Sequence, residues 1–321
     1  MNLNISSVVD SLSGKDLQYT IDTSLTGALG APLNITMNDA YQAGDKVEIL
    51  IRYKTSNESL ATQWYSKEMT LGKEYPFMYT QGEAILSRAL LPCQDSPAAK
   101  VTINAGLKVK KPLVALYSGI RTGVVETDDS LTYLYVQKIP VPTYLIAIAA
   151  GAIESRVLND RTTVYAEKEL VDKAAWEFAE TEKFIEVAEA YLIPYEWGQY
   201  NILVLPPGFP YGGMENPTLT FVTPALIAGD RSLANVIAHE ISHSWTGNLV
   251  TNRNWQSFWL NEGFTVFVER KITEVIYGDD MKKLAAQVGY TDLSEDIKNF
   301  GESDSFTSLH PDIQSVICYW L

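Results

Sequence analysis

Residues 236–248 read VIAHEISHSWTGN and contain two of the protein's three histidines, His239 and His243. Side chains four residues apart on a helix lie on one face, with Cβ atoms about 5–6 Å apart. Both imidazoles can then reach one zinc ion at the usual Zn–N distance of about 2.0–2.1 Å. Glu240 would project beside the ion, where it can accept a proton from water activated by the metal. The spacing therefore predicts a zinc site with Glu240 as the general base.

Glu262 is the predicted third ligand of the same ion. Eighteen residues lie between His243 and Glu262, enough for the first helix to end and for a second helix to bring a carboxylate back. Two histidines and one glutamate leave the fourth position open to water, as in catalytic rather than structural zinc sites. We therefore expect one zinc ion per chain. The alternative interpretation is a surface helix whose two histidines are four residues apart by chance.

Hydrophobic periodicity and breaker residues predict the elements around this site. We expect helices at 169–192, 232–246 and 258–277, and strands at 201–205 and 218–223. Ser232 is a plausible N-cap of the second helix, and Gly247 is its expected stop.

The first half of the chain has a different pattern. Short runs rich in β-branched and aromatic residues, such as 46–53 and 131–137, alternate with Gly, Pro, Asn and Asp up to Glu154. Such runs predict strands. We therefore predict two domains, an all-β domain at 1–154 and a mixed α and β domain at 155–321 that carries the metal site.

Composition excludes several classes of function. The chain has 25 Lys and Arg against 39 Asp and Glu, a net charge of −14, so we predict no nucleic-acid partner. The longest apolar stretch, 144–153, is about half of what a membrane span needs, so we predict no membrane segment. The start shows no secretory pattern, and two cysteines, Cys93 and Cys318, build no disulfide framework. We therefore predict a cytoplasmic location.

Several motifs together resemble a known family. The HEISH pattern at 239–243, followed after eighteen residues by the glutamate of NEGF at 261–264, resembles the gluzincin aminopeptidases, peptidase family M1. YGGMENP at 211–217 is similar to the family's Gly-x-Met-Glu-Asn exopeptidase motif. LLPCQDSP at 90–97 and the stretch 236–248 resemble the branch that includes leukotriene-A(4) hydrolase and aminopeptidase B. The likeness extends from near the start to about Thr307, and it implies a β domain followed by a thermolysin-like catalytic domain.

The resemblance implies a zinc aminopeptidase that acts on peptides with a free N-terminus. Carboxylates are natural partners for the substrate's α-ammonium. In the family this role would belong to Glu215, with Gln81 and Glu83 of the β domain as further candidates. Leukotriene-A(4) hydrolase itself usually has an amide where Glu83 stands, so this chain departs toward the pattern of general aminopeptidases. The remaining predicted substrate-binding residues belong to the Gly-rich motif: Tyr211, Gly212, Gly213, Met214 and Asn216.

Read from the residues alone, some of these assignments have alternatives. Glu215 could be a solvated loop acid, and Gln81 and Glu83 could lie on an exposed strand face. Tyr211 could contact a substrate side chain or cap the core. Glu269, two helical turns after Glu262, could contact a ligand or pair on the surface.

The chain also departs from the family's pattern. Early strands of the β domain and the C-terminal helical domain are unmatched, and so is the family's transition-state tyrosine; Tyr319 has different surroundings. We therefore expect these 321 residues alone to be a weak or inactive peptidase. Two other hypotheses remain, a catalytically impaired form that acts by binding and an epoxide hydrolase of the leukotriene type.

Overall fold

A computed structural model describes residues 3–22, 24 and 30–312, so Cys318 and Tyr319 lie outside the described residues. The first half is built from strands that form antiparallel sheets. They are β1 (Asn4–Asp10), β2 (Gln18–Ile21), β3 (Leu33–Thr36), β4 (Ile49–Lys54), β5 (Thr62–Tyr65), β6 (Phe77–Thr80), β7 (Lys100–Lys110), β8 (Val114–Tyr117), β9 (Ile120–Glu126), β10 (Ser130–Pro142) and β11 (Ile148–Gly151).

These strands pair in four sheets, with orders β1-β4, β2-β3, β7-β10-β9 and β5-β6-β11-β8. Turns of 3-10 helix interrupt them, and the described part of this half contains no α-helix. The all-β prediction for this half is therefore confirmed. β6 and the 3-10 turn Thr143–Leu145 matter most below, because the chain that follows β6 and that turn both reach the candidate site.

The second half combines strands with helices. The strands are β12 (Ile153–Val157), β13 (Thr163–Glu167), β14 (Asn201–Val204), β15 (Gly213–Met214) and β16 (Leu219–Val222). The helices are α1 (Val171–Glu177), α2 (Thr181–Tyr191), α3 (Asn235–His243), α4 (Trp259–Tyr277) and α5 (Asp279–Phe300). The strands form one mixed sheet of order β12-β13-β14-β16-β15, in which β13, β14 and β16 run parallel. The division predicted at residues 154 and 155 stays a prediction, and it falls within β12.

Both halves contribute to one hydrophobic core. Phe77 and Leu145 from the β half lie in the same cluster as Phe221 and Ile237 from the second half, and all four are almost fully buried. Protein interiors are packed as densely as organic crystals, so a shared core transmits position between the elements it joins. The β half and the helix that carries the two histidines are therefore held in one arrangement.

Helix boundaries differ from the prediction in three places. One is the end of α3, which lies at His243, so Gly247 is not its immediate stop. The helix expected at 169–192 is split into α1 and α2, and no Gly or Pro marks the break. The helix expected from Ser232 begins at Asn235, so Ser232 is not its N-cap. Instead, the backbone N–H of Ser232 donates to the side chain of Asp230 in a turn. The same loop is held by buried Glu177, whose carboxylate accepts from the N–H groups of Gly229 and Arg231. These are contacts between distant segments, which local periodicity does not report.

None of the helices within the described residues is long and apolar enough to cross a membrane.

Candidate active site

Helices α3 and α4 bring the three predicted metal ligands together. The Nε2 atoms of His239 and His243 lie 3.1 Å apart. Glu262 completes the cluster, with Oε2 at 3.4 Å from Nε2 of His239 and Oε1 at 3.6 Å from Nε2 of His243. These ligand atoms lie within 4.8 Å of one another. The sequence spacing thus corresponds to a real convergence of two imidazoles and one carboxylate.

The separations fit a zinc ion. Ligands at about 2.0–2.2 Å from a common tetrahedral centre lie about 3.3–3.6 Å from one another. The three separations between the ligand atoms scatter around that range. Two nitrogens and a carboxylate oxygen are also the donor set of catalytic zinc sites that keep one position open.

Both histidines are held in the tautomer that such a site needs. Nδ1 of His243 lies 3.1 Å from the carbonyl oxygen of Thr246, and Nδ1 of His239 lies 3.1 Å from Oε2 of Glu269. A carbonyl or a carboxylate oxygen only accepts, so each Nδ1 carries the proton and each Nε2 offers its lone pair. Glu269 therefore contacts a predicted ligand, which resolves the two interpretations of this residue in favour of contact.

Glu240 lies beside the triad and is buried, with 5% of its surface exposed. Its Oε2 oxygen has no hydrogen-bond partner in the described part of the chain. Burial raises the pKa of Glu240 well above its ordinary range, and although His239 opposes the shift, Glu215 and Glu262 add to it. A carboxylate with a raised pKa is a stronger base, as general-base chemistry near neutral pH requires.

The Gly-rich segment passes directly over Glu240. A Cβ atom added to Gly213 would lie 2.7 Å from Cγ of Glu240 and nearer still to its carboxylate, so only glycine fits here. Gly213 and Met214 form β15, which pairs with β16 at the edge of the sheet and contacts α3. Gly212 comes next to Val236 of α3, where an added Cβ would make ordinary contact at 3.6 Å. The motif thus brings its backbone against the predicted base.

Glu215 and Asn216 follow β15 and are buried. Oε1 of Glu215 lies 4.0 Å from Nδ1 of His243, and the backbone carbonyl of Glu215 accepts from Nδ2 of Asn248 at 2.7 Å. Glu215 is therefore not a solvated loop acid. Its side chain points toward the triad while its backbone is fixed to the loop after α3.

Gln81 and Glu83 approach from the β half, just after β6. Gln81 is 7% exposed, and its Nε2 donates to Sδ of Met214 at 3.2 Å. Glu83 is half-buried, with its Oε1 oxygen fully enclosed. The exposed strand face considered from the sequence is therefore not the environment of either residue. Oε1 of Gln81, Oε1 of Glu83 and Oε1 of Glu215 are all buried without a hydrogen-bond partner among the described residues.

The carboxylates raise one another's pKa. Burial, followed by the charges of Glu215, Glu262 and Glu240, raises the pKa of Glu83 well above its ordinary value. The pKa of Glu215 is also raised by burial, with Glu262 adding to the effect. The site therefore has a negative field that favours cations.

Tyr211 begins the Gly-rich motif and lies near Glu83. It is 47% exposed, and its ring contacts Phe209 edge to face at a centroid distance of 5.6 Å. Burial and the nearby Glu83 raise the pKa of its hydroxyl. The exposed half of the ring is thus available for a ligand, while the other half packs on the protein.

Sequence reasoning missed two residues that adjoin the triad. Tyr144 lies in the apolar stretch that was weighed only as a membrane candidate, yet its hydroxyl accepts from Nδ2 of Asn261, the residue before Glu262. Thr265, one turn after Asn261, lies 3.1 Å from Nδ1 of His243 through its Oγ1. No local signal marks either residue, because both act through contacts made in the folded chain.

The structure joins a β half to a mixed α and β half that carries a cluster of two histidines and one glutamate, the donor set of catalytic zinc sites. Comparison with known proteins shows the family. The Peptidase M1 N-terminal domain matches residues 1–145, and the Peptidase family M1 domain matches residues 176–317. The chain belongs to peptidase family M1.

Named relatives agree with this assignment. Leukotriene A-4 hydrolase from Xenopus laevis is 47% identical over 308 residues, covering 95% of this chain and 50% of that protein. Leucine aminopeptidase 2 from Neosartorya fischeri is 40% identical over 283 residues, covering 87% of this chain and 46% of that protein. The structure of native yeast LTA4 hydrolase superposes with a TM-score of 0.89 at 40% identity, covering 97% of this chain and 48% of that one. The chain thus spans about half the length of the relatives it matches.

Proposed function

We propose that the protein is a zinc aminopeptidase that removes the N-terminal residue of peptides, with one zinc ion held by His239, His243 and Glu262. The observation that carries this proposal is a set of three enclosed acceptors without hydrogen-bond partners among the described residues: Oε1 of Gln81, Glu83 and Glu215. Glu215 lies near His243, Gln81 binds Met214 beside it, and the charge of Glu215 acts on Glu83. Buried acceptors left without donors are costly, so a site that keeps several of them is suited to a ligand that supplies donors.

An α-ammonium is such a ligand. It has three N–H donors and a positive charge, and the amine anchor, defined here as Gln81, Glu83 and Glu215, offers three acceptors and two carboxyl groups. Charge-assisted hydrogen bonds of this kind are about twice as strong as neutral ones. A free N-terminus bound there would be held beside the triad, which limits cleavage to the first peptide bond.

The chain's own residues supply the remaining chemistry. Zinc, when bound, would supply Lewis-acid activation of water and of the scissile carbonyl. Glu240 would accept the proton of the attacking water and pass it to the leaving amine, because it is adjacent to His239 without belonging to the triad. Gly213 leaves room for that carboxylate. The half-exposed Tyr211 would contact the first side chain of the substrate, while Gly212, Met214 and Asn216 would hold the motif in place.

The test compares hydrolysis of a fluorogenic amino-acid amide with that of its N-acetylated counterpart, for the parent protein and for Glu215→Gln. A charged hydrogen bond is worth about 1.5–3 kcal/mol, so the variant should lose roughly tenfold or more in kcat/KM on the free amine only. Glu186→Gln, an exposed change of the same charge on α2, is the control and should leave both rates unchanged. An equal loss on both substrates would contradict amine recognition.

The similarity to leukotriene A-4 hydrolase from Xenopus laevis favours a second candidate, epoxide hydrolysis. Conversion of leukotriene A4 by the zinc-loaded protein, lost on zinc removal, would support it. If zinc binds and neither substrate turns over, the proposal that remains is an impaired form that acts by binding. A cytoplasmic location and the lack of a nucleic-acid partner stay predictions from composition.

A further inference from the structure

Tyr144 lies at the centre of the contact between the β half and the candidate site. It belongs to the 3-10 turn Thr143–Leu145, between β10 and β11, and is 1% exposed. Its ring packs against Trp255, just before α4, with centroids 5.0 Å apart. Burial, and then the charges of Glu215 and Glu83, raise the pKa of its hydroxyl, so that group stays protonated close to two carboxyls of the amine anchor.

The side chain of Tyr144 reaches the residue before a predicted metal ligand. Its hydroxyl accepts from Nδ2 of Asn261 at 3.3 Å, and Asn261 is also 1% exposed. The backbone carbonyl of Asn261 accepts from Oγ1 of Thr265 at 2.8 Å. Oγ1 of Thr265 also lies 3.1 Å from Nδ1 of His243. A displacement of Asn261 would therefore move Glu262 along with α4 and disturb the support of His243.

The backbone of Tyr144 lies against Gly82, the residue between two members of the amine anchor. A Cβ atom added to Gly82, the residue between Gln81 and Glu83, would lie 2.6 Å from the carbonyl oxygen of Tyr144 and 2.7 Å from Oγ of Ser87. Oγ of Ser87 in turn donates to the carbonyl of Thr143 at 2.8 Å. The segment that carries two of the three anchor acceptors is thus packed directly on the turn that holds Tyr144.

We propose that Tyr144 is a positioning residue that joins the amine anchor to the metal ligand Glu262 and so sets the distance between the substrate's amine and the metal. This inference rests on the proposed aminopeptidase function. Tyr144 contacts a chain neighbour of each part through a different group, its backbone at Gly82 and its hydroxyl at Asn261. An exopeptidase needs this distance to match one amino-acid residue, because misplacement by about 1 Å can cost about 10²-fold in rate.

The test replaces Tyr144 with Phe, which keeps the ring against Trp255 and removes only the hydroxyl. Tyr117→Phe is the matched control, since Tyr117 is a buried tyrosine of the β half whose hydroxyl has no partner among the described residues. Zinc affinity is measured by competition with a chelator, without substrate. Discrimination is measured as the ratio of kcat/KM for an amino-acid amide to that for its N-acetylated form.

Loss of a neutral hydrogen bond should weaken zinc binding by about 2- to 12-fold in Tyr144→Phe and lower the discrimination ratio by a similar factor. Tyr117→Phe should change neither quantity. Gly82→Ala disturbs the contact between Gly82 and the backbone of Tyr144. It should lower the discrimination ratio while leaving zinc affinity within twofold of the parent.

The outcomes separate this inference from the proposed function. Zinc affinity and discrimination in Tyr144→Phe that equal those of Tyr117→Phe would overturn the role of Tyr144 and leave the aminopeptidase proposal intact. A parent protein that binds zinc but cleaves neither substrate would overturn the aminopeptidase proposal. The zinc affinity of Tyr144→Phe would still test whether the Tyr144 hydroxyl positions Glu262. Tyr144→Phe could melt at a lower temperature than Tyr117→Phe, and the test then rests on Gly82→Ala. An unchanged discrimination ratio in Gly82→Ala would contradict the proposed link between Tyr144 and the amine anchor.

Discussion

Oε2 of Glu269 lies 3.1 Å from Nδ1 of His239. Glu269 follows Glu262 by two helical turns on α4. A carboxylate in this position fixes the ring orientation of a metal-binding histidine and raises its basicity. The contact thus extends the predicted metal site beyond its three ligands.

Glu269→Ala should weaken zinc binding by about 10- to 100-fold, as is usual for residues that support a ligand. Competition with a chelator measures the change. Glu274→Ala is the control on the same helix, because the ion pairs that Glu274 makes within the described residues are with Lys271 and Lys282. Equal affinities for the two variants would show that Glu269 does not support the ligand.

His243→Ala should abolish the bound zinc, since it removes one of the three atoms that converge at the site. Metal analysis of the purified protein should give one zinc per chain before the change and none after it. His310→Ala removes the third histidine, which is exposed and far along the chain, and should leave the stoichiometry at one. Full zinc occupancy in His243→Ala would mean that the ligands are assigned wrongly.

Glu240→Gln should lower kcat by about 10²–10⁴-fold while zinc remains bound, because a general base contributes about that much and the amide cannot accept the proton. Turnover of an amino-acid amide and metal content are measured on the same sample. Unchanged turnover in an active parent protein would rule out this role for Glu240.

Gly213→Ala should lower kcat by about 10²-fold through displacement of Glu240, because its new Cβ would collide with that carboxylate. Zinc content should stay the same, since the three atoms nearest to the added Cβ all belong to Glu240 and not to a predicted ligand. Gly198→Ala would test strain instead of collision, because Gly198 has a positive φ of 78° and open space around it; it should affect stability and leave kcat unchanged. A normal kcat in Gly213→Ala would show that Glu240 does not need its present position.

The stability of the protein should fall in acid partly through Glu189. Arg161 binds Glu189 with two hydrogen bonds of 3.0 Å and holds the pKa of its carboxyl below the ordinary value of 4.5. Because the pKa of Glu189 is lower in the folded state, this stabilisation is fully present above the pKa of the unfolded state. It is lost as the pH falls through the pKa of the folded state. The melting temperature of Glu189→Gln should therefore be lower than that of the parent near neutral pH, and the difference should shrink below pH 4.5. A difference that is constant with pH would contradict this linkage.

Some features of the protein were predictable from local sequence. The spacing of His239 and His243 matches one helix face, and Gly278 ends α4 as expected, with a positive φ of 92° that glycine readily adopts. Alternating and β-rich runs identified the β half. Each of these signals lies within one element, where backbone geometry relates sequence separation directly to spatial separation.

Other features depended on packing between distant segments. The break between α1 and α2 has no breaker residue, and the start of α3 is decided by Asp230 and by buried Glu177. From the sequence, Gln81 could equally be an exposed strand residue. In the folded chain it is buried by the second half and donates to Met214.

The sequence alone therefore determined the metal-ligand spacing, the candidate base and the two-part architecture. Only the tertiary structure placed Glu269 against His239 and packed Tyr144 against both Gly82 and Asn261. It also buried one oxygen each of Gln81, Glu83 and Glu215 without a hydrogen-bond partner among the described residues. The physical reason is that these relations join residues 30 to more than 100 positions apart, brought together by a core shared between the two halves. Burial then gives each contact its energetic weight, because an enclosed polar group without a partner is costly.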